Sequence, residues 1–160
     1  MKAKTVKKSS VVMSHLMMPQ NANPTGIVHG GVVMRHIDEA AGVVAVRHSG
    51  SNAVTASIDR LDFHNPVFVG NLVTVKASIN MVGRTSMEIG VRVETEDLIS
   101  GRVRHTASAY LTYVAMDKAF RPKEVPPLKL TTGEEKRRNK EALSRRKDRL
   151  AGKTREKECR

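Results

Sequence analysis

With 160 residues and 39% hydrophobic content, the chain has the length and apolar supply for one domain with a core of ordinary size, which excludes wholesale disorder. Three Phe, two Tyr and no Trp leave that core to Val, Ile, Leu, Met and Ala. The net charge of +12 invites a nucleic-acid-binding reading, but the excess sits in two tails: residues 133–160 carry +6, the first ten carry +4, and residues 11–132 only +2.

Residues 1–8, with Lys2, Lys4, Lys7 and Lys8, read as a basic N-terminal extension. Val11-Val12-Met13 is too short for a signal-peptide apolar region. No apolar run approaches the roughly 18 residues of a membrane span. The one cysteine, Cys159, has no intrachain partner and stands in a charged terminus, so it is read neither as a disulfide nor as a nucleophile. These features point to a reducing, cytoplasmic setting without membrane insertion.

Residues 9–18 predict a strand, and the Pro19 to Pro24 stretch with Asn21 and Asn23 a loop. Gly30-Gly31 then lead into a helix over Val32 to His48, where Val33, Ile37, Ala40, Ala41 and Val44 follow the spacing of one buried stripe. Four further strands follow: Val54 to Phe63, and alternating runs around Val73–Ile79, Met87–Val93 and Val103–Tyr113. Each alternating run has one apolar and one polar face, as in an antiparallel sheet covered on one side. Strand, one long helix and four strands make an α+β fold, with the helix apolar enough around Ala40–Val46 to lie inside a curved sheet. Pro126-Pro127 closes the domain. Residues 129–160 form a basic tail that is expected to be mobile or a solvated helix, its few apolar residues being Ala142, Leu143, Leu150 and Ala151.

Several residues could carry chemistry. Gly30 and Gly31 stand where a loop becomes a helix, so unpaired first-turn N–H groups and the positive helix end suit an anion there; an ordinary tight turn is the competing reading. Asp38 follows the buried Ile37 directly, and an acid beside an apolar face is costly unless paired or used; a solvated pairing with Arg35 is the alternative. Asn23 fits a turn as readily as a site. His29 could donate or cap, and His64, before Asn65-Pro66, reads as structural. No His or Cys pair has metal spacing with a third ligand, so no catalytic metal is expected. Nucleophile-elbow, dinucleotide and phosphate-loop patterns are missing.

The set is more specific than its members. Asn23-x-x-Gly26-x-x-His29-Gly30-Gly31, followed by Ile37-Asp38-Glu39-Ala40-Ala41-Gly42, resembles the hot-dog acyl-CoA thioesterases, in the branch of the brain-type cytosolic hydrolase and its bacterial single-domain relatives. Val54-Thr55-Ala56-Ser57, Asp62-Phe63-His64, Gly83-Arg84-Thr85-Ser86-Met87-Glu88 and Ala107-x-x-x-Leu111-Thr112-Tyr113-Val114-Ala115 match the same pattern, so the resemblance spans residues 9–128. It implies a hot-dog fold, a five-stranded antiparallel sheet around a central helix, paired edge to edge in a homodimer and further in a trimer of dimers. It also implies a site between subunits, with Asn23 from one chain and Asp38 from the other. N–H groups around Gly30 and Gly31 would meet the thioester oxygen, and Asp38 would serve as general base or, alternatively, as nucleophile. His29, Gly30, Arg84, Thr85 and Ser86 would contact substrate, although Arg84 also suits a plain surface turn. Coenzyme A enters as part of the substrate, and no separate cofactor is expected.

Two other functions compete. One is non-catalytic binding of acyl-CoA by the same fold. The other is contact with nucleic acid through Arg145-Arg146-Lys147 in the tail, against which stands the lack of aromatic residues for stacking.

Overall fold

In the computed structural model, which describes residues 1–158, the alternating runs become one curved sheet. The elements are β1 (Lys4–Thr5), β2 (Val11–Leu16), α1 (Gly30–Ser49), β3 (Asn52–Phe63), β4 (Leu72–Val82), β5 (Ser86–Asp97), β6 (Arg102–Met116), β7 (Leu128–Lys129) and α2 (Gly133–Glu158). The main sheet is antiparallel throughout, in the order β2-β4-β5-β6-β3. Period two sends Val73, Val75, Ala77, Ile79, Ile89, Val91, Val93, Ala107, Ala109 and Leu111 to one face, where α1 lies across them. This is the hot-dog arrangement expected from the sequence.

The predicted stripe of α1 is buried as read, and Ala45 and His48 join it. Small side chains at Ala40, Ala41 and Ala45 let the helix axis approach the sheet closely. Both ends of α1 are capped. His29 accepts a hydrogen bond from Gly31 N–H at the start, and Gly50 closes the end with φ +66°, a conformation glycine adopts without a Cβ clash.

Both tails pack onto the domain. The first eight residues pack onto the domain: β1 pairs in parallel with β7, and Val6 is buried. Lys4 Nζ donates to the carbonyls of Arg47 (3.0 Å) and His48 (2.8 Å), a cation on the negative end of α1. The C-terminal segment, expected as mobile or solvated, forms α2 and lies on the sheet face opposite α1. Ala142 is fully buried there, and Arg138, Asn139, Arg145 and Arg149 bond to Ser78, the Asn80 carbonyl, Glu88 and Asp59, on three strands. Pairing with the buried Glu88 and the part-buried Asp59, rather than an apolar stripe, is what holds the helix. Cys159, at the extreme of that tail, lies outside the described residues. Among the described residues no helix is long and apolar enough to cross a membrane.

Candidate active site

Asp38 faces β3 and β6. Its Oδ1 accepts from Thr55 Oγ1 at 2.7 Å and from the Tyr113 hydroxyl at 2.6 Å, and the same hydroxyl lies 2.7 Å from the Asp38 carbonyl oxygen. Thr55 and Tyr113 are register partners across β3 and β6, so the sheet delivers both donors to one carboxylate oxygen. Burial, with the Asp38 carboxylate beside it, pushes the Tyr113 hydroxyl well above its usual range and keeps it a donor. Two donors on Oδ1 fix the carboxylate's orientation and leave Oδ2 for another partner.

Sequence reasoning did not name Thr55 or Tyr113 as site residues. Each has a faint signal: Thr55 is a hydroxyl beside the start of an edge strand, and Tyr113 is a phenol in an otherwise aliphatic row.

Asn23 is held elsewhere. Its Oδ1 accepts from Thr25 N (3.0 Å) and Thr25 Oγ1 (2.7 Å), while its backbone N–H donates to Ile27 O at 2.7 Å, which closes the loop before α1. His29 and Gly30 are exposed at the start of α1. Gly31 N–H, read as an oxyanion donor, donates to Nδ1 of His29 at 2.9 Å, so His29 acts as the cap in this state. A Cβ at Gly31 would stand 3.0 Å from that nitrogen, close enough to force the ring aside.

Gly83, Arg84 and Thr85 form the tight connection from β4 to β5, and Ser86 opens β5. Arg84 is exposed and pairs loosely with Glu124 at 3.5 Å, while Thr85 O accepts from Ala115 N at 2.9 Å. Ser86 pairs with Val114, and Met87 with Tyr113. The connection therefore sits one row from Tyr113 and Thr55, at the Asp38 end of the sheet. The chain thus brings Asp38, Thr55, Tyr113 and residues 84–86 to one end, and carries Asn23, His29, Gly30 and Gly31 at the other. A cavity of about 400 Å³ opens between α2 and the outer face, lined by Asn80, Tyr110, Arg138 and Arg145 and by none of these site residues.

A family model described as the thioesterase superfamily matches residues 25–101. A solved apo-hexameric acyl-CoA thioesterase is 36% identical, with a TM-score of 0.91 over 94% of this chain and 97% of that one. The chain belongs to the thioesterase superfamily. An acyl-CoA hydrolase from Staphylococcus aureus, solved with butyryl coenzyme A, coenzyme A and coenzyme A disulfide, is 31% identical to this superfamily member, with a TM-score of 0.90 over 98% of this chain and 96% of that one. Alanine variants of that hydrolase at an asparagine, an aspartate and a threonine have been solved, at positions spaced fifteen and then seventeen residues apart. Asn23, Asp38 and Thr55 have the same spacing in this thioesterase-superfamily chain. The cytosolic acyl coenzyme A thioester hydrolase of mouse is 37% identical over 143 residues, which are 88% of this chain and 38% of the mouse protein.

Proposed function

We infer that this chain hydrolyses acyl-CoA thioesters at sites shared between two copies, Asn23, Gly30 and Gly31 coming from one subunit and Asp38 from the other. The observation that carries the reading is the carboxylate of Asp38, oriented by Thr55 and Tyr113 with one oxygen left over. The spacing it shares with the S. aureus hydrolase and the names of the relatives support the same chemistry.

The sharing follows from reach. Gly31 and Asp38 are separated by roughly 10 Å along α1 at about 1.5 Å per residue. Donors and base must both come within about 3 Å of the reacting atoms, so the two halves of one chain cannot serve the same thioester. A second copy related by a two-fold axis brings its own helix start to this Asp38 and its Asp38 to this helix start, giving two equivalent sites. The edge strand β3 offers the seam: it is twelve residues long, pairs on one side with β6, and exposes Val54, Ile58 and Phe63. Pairing of dimers into a hexamer agrees with the hexameric relative.

Asp38 then takes a proton from water as the water oxygen bonds to the thioester carbon. The carbonyl electrons move onto oxygen, where N–H groups around Gly30 and Gly31 stabilise the charge once His29 releases Gly31. Collapse breaks the C–S bond, and the leaving thiolate regains the proton from Asp38, releasing CoA and a carboxylic acid. Asn23 orients the water. Arg84, Thr85 and Ser86, with His29, hold the polar part of the substrate. The reaction as written requires only water and acyl-CoA, so no cofactor enters it. We place the enzyme in the cytoplasm, the compartment in the mouse relative's name.

The test is release of free thiol from a panel of acyl-CoAs, read with a thiol reagent. Wild-type chain is expected to turn over, and Asp38→Ala to lose about 10²–10⁴-fold in kcat while melting near the wild-type temperature. Full activity in Asp38→Ala would remove the assigned base. Binding of acyl-CoA without thiol release by the wild type would favour the non-catalytic reading.

A further inference from the structure

We propose that His15, His36 and Glu39 form a binding site for a divalent transition-metal cation, zinc fitting best, which fastens the edge strand β2 to α1. The three residues come from two elements. His15 lies on the face of β2 turned to the helix, in the half-buried row with Val11 and Met13. His36 lies on α1, with its ring stacked on that of His15 at 3.8 Å between centroids and 17° between planes. Glu39 stands one helical turn on, with Oε2 3.3 Å from His36 Nδ1. Each residue offers one ligand atom, and all three lie within 4.8 Å of one another.

A second observation points to a ligand. His15 Nε2 is buried and has no hydrogen-bond partner, one of two such side-chain atoms among the described residues. A buried ring nitrogen without a partner is destabilising, and a metal ion would satisfy a lone pair there. Two imidazoles and a carboxylate are a recurrent zinc donor set, with water in the fourth position. Zinc bonds of about 2.0–2.2 Å place tetrahedral ligands roughly 3.3–3.5 Å apart. The His36–Glu39 pair already has that separation. The widest separation must close by up to about 1.4 Å, and the stacked rings must turn so that both nitrogen lone pairs converge, which rotation of the two side chains supplies.

Arg35 takes Oε1 of Glu39 at 2.9 Å, which leaves Oε2 on the His36 side. Asp38, by contrast, points to β3 and β6. The metal therefore has no part in hydrolysis. It steadies the strand whose continuation carries Asn23 to the start of α1.

The experiment uses the purified full chain, stripped with chelator and titrated with zinc chloride by calorimetry and thermal melting. Cobalt(II) serves as the spectroscopic probe. One zinc per chain, a higher melting temperature and the strong visible absorption of four-coordinate cobalt are expected. His15→Gln and His36→Gln should each weaken zinc binding by at least about tenfold, the loss of one of three protein ligands. Acyl-CoA turnover should survive chelation. Failure of the wild type to bind zinc at tens of micromolar, or equal binding by both histidine variants, would overturn the site; equal binding would move the ion to other histidines such as His64 and His105. If either histidine variant does not fold, Glu39→Gln, at a half-exposed position, applies the same criterion.

Discussion

The two faces of the sheet are each covered by one helix, and the two helices are held by opposite means. On the inner face α1 buries Val33, Ile37, Ala40, Ala41 and Val44 against aliphatic strand residues, so hydrophobic burial dominates. On the outer face, among the residues whose burial is described, α2 buries only Ala142 completely, and it relies on charge. Arg145 Nη2 meets Oε1 of Glu88 at 2.7 Å, with Glu88 itself 0% exposed, and the guanidinium stacks 3.7 Å from the centre of the Tyr110 ring. Arg149 donates to Asp59 at 2.6 Å and to Thr112. An apolar stripe tolerates change by repacking, whereas a buried ion pair fails when either partner is removed alone.

That contrast can be broken from either side. The largest expected effect on stability is on the inner face: Ile37→Ala should cost about 3–4 kcal/mol, lost transfer energy plus a cavity, measured by urea unfolding. Arg145→Ala should cost about 2–3 kcal/mol, below the range for a fully buried pair because the guanidinium is partly exposed. Replacing Arg145 and Glu88 together by Leu should recover much of that loss. If Arg145→Ala melts with the wild type, the Arg145–Glu88 pair does not hold α2 to the sheet. Deletion of residues 133–160 should destabilise the domain by stripping Glu88 of its partner, while turnover per folded chain at low temperature persists.

The smallest effect is in pH dependence. Burial holds His48 below the usual imidazole range, against the opposing hydrogen bond from its Nε2 to Pro126 O at 2.9 Å. The unfolded chain therefore binds a proton first. Stability is fully present above the unfolded value of 6.5 and is lost as pH falls below it, at no more than about 1.4 kcal/mol per pH unit. His48→Gln should flatten part of the fall in melting temperature between pH 6.5 and pH 5. Part of it should remain, because burial also holds His15 low and adds the same sign. A His48→Gln melting profile parallel to wild type across that window would remove the assignment.

The same contrast explains what could be read from the sequence. The α1 stripe and the alternation of β4, β5 and β6 are written in apolar period, so the fold and the inner face were legible. Docking of α2 was not, because Arg138, Arg145 and Arg149 look like solvated charge until Glu88 and Asp59 are placed opposite them, and Glu88 itself sits on a strand face that reads as polar. At the site, Asn23, Asp38 and the glycine turn stood out through a linked pattern. Thr55 and Tyr113 did not, since their role exists only where β3 and β6 bring them to the same carboxylate. His15 lies far in sequence from His36 and Glu39, so no spacing rule finds that cluster; the register of β2 over α1 creates it. Sequence showed Gly31 as a free donor, and the structure shows its N–H engaged by His29.

Sites shared between subunits require Asn23 and Asp38 to act from different chains. Asn23→Ala and Asp38→Ala chains, each nearly inactive alone, are unfolded together, refolded as a mixture and assayed for thiol release. With random pairing, half of the dimers are hybrids carrying one intact site of two, so recovery to about a quarter of wild-type turnover is expected. A mixture in which hybrids are verified by mass yet activity stays at the level of the separate variants would contradict it.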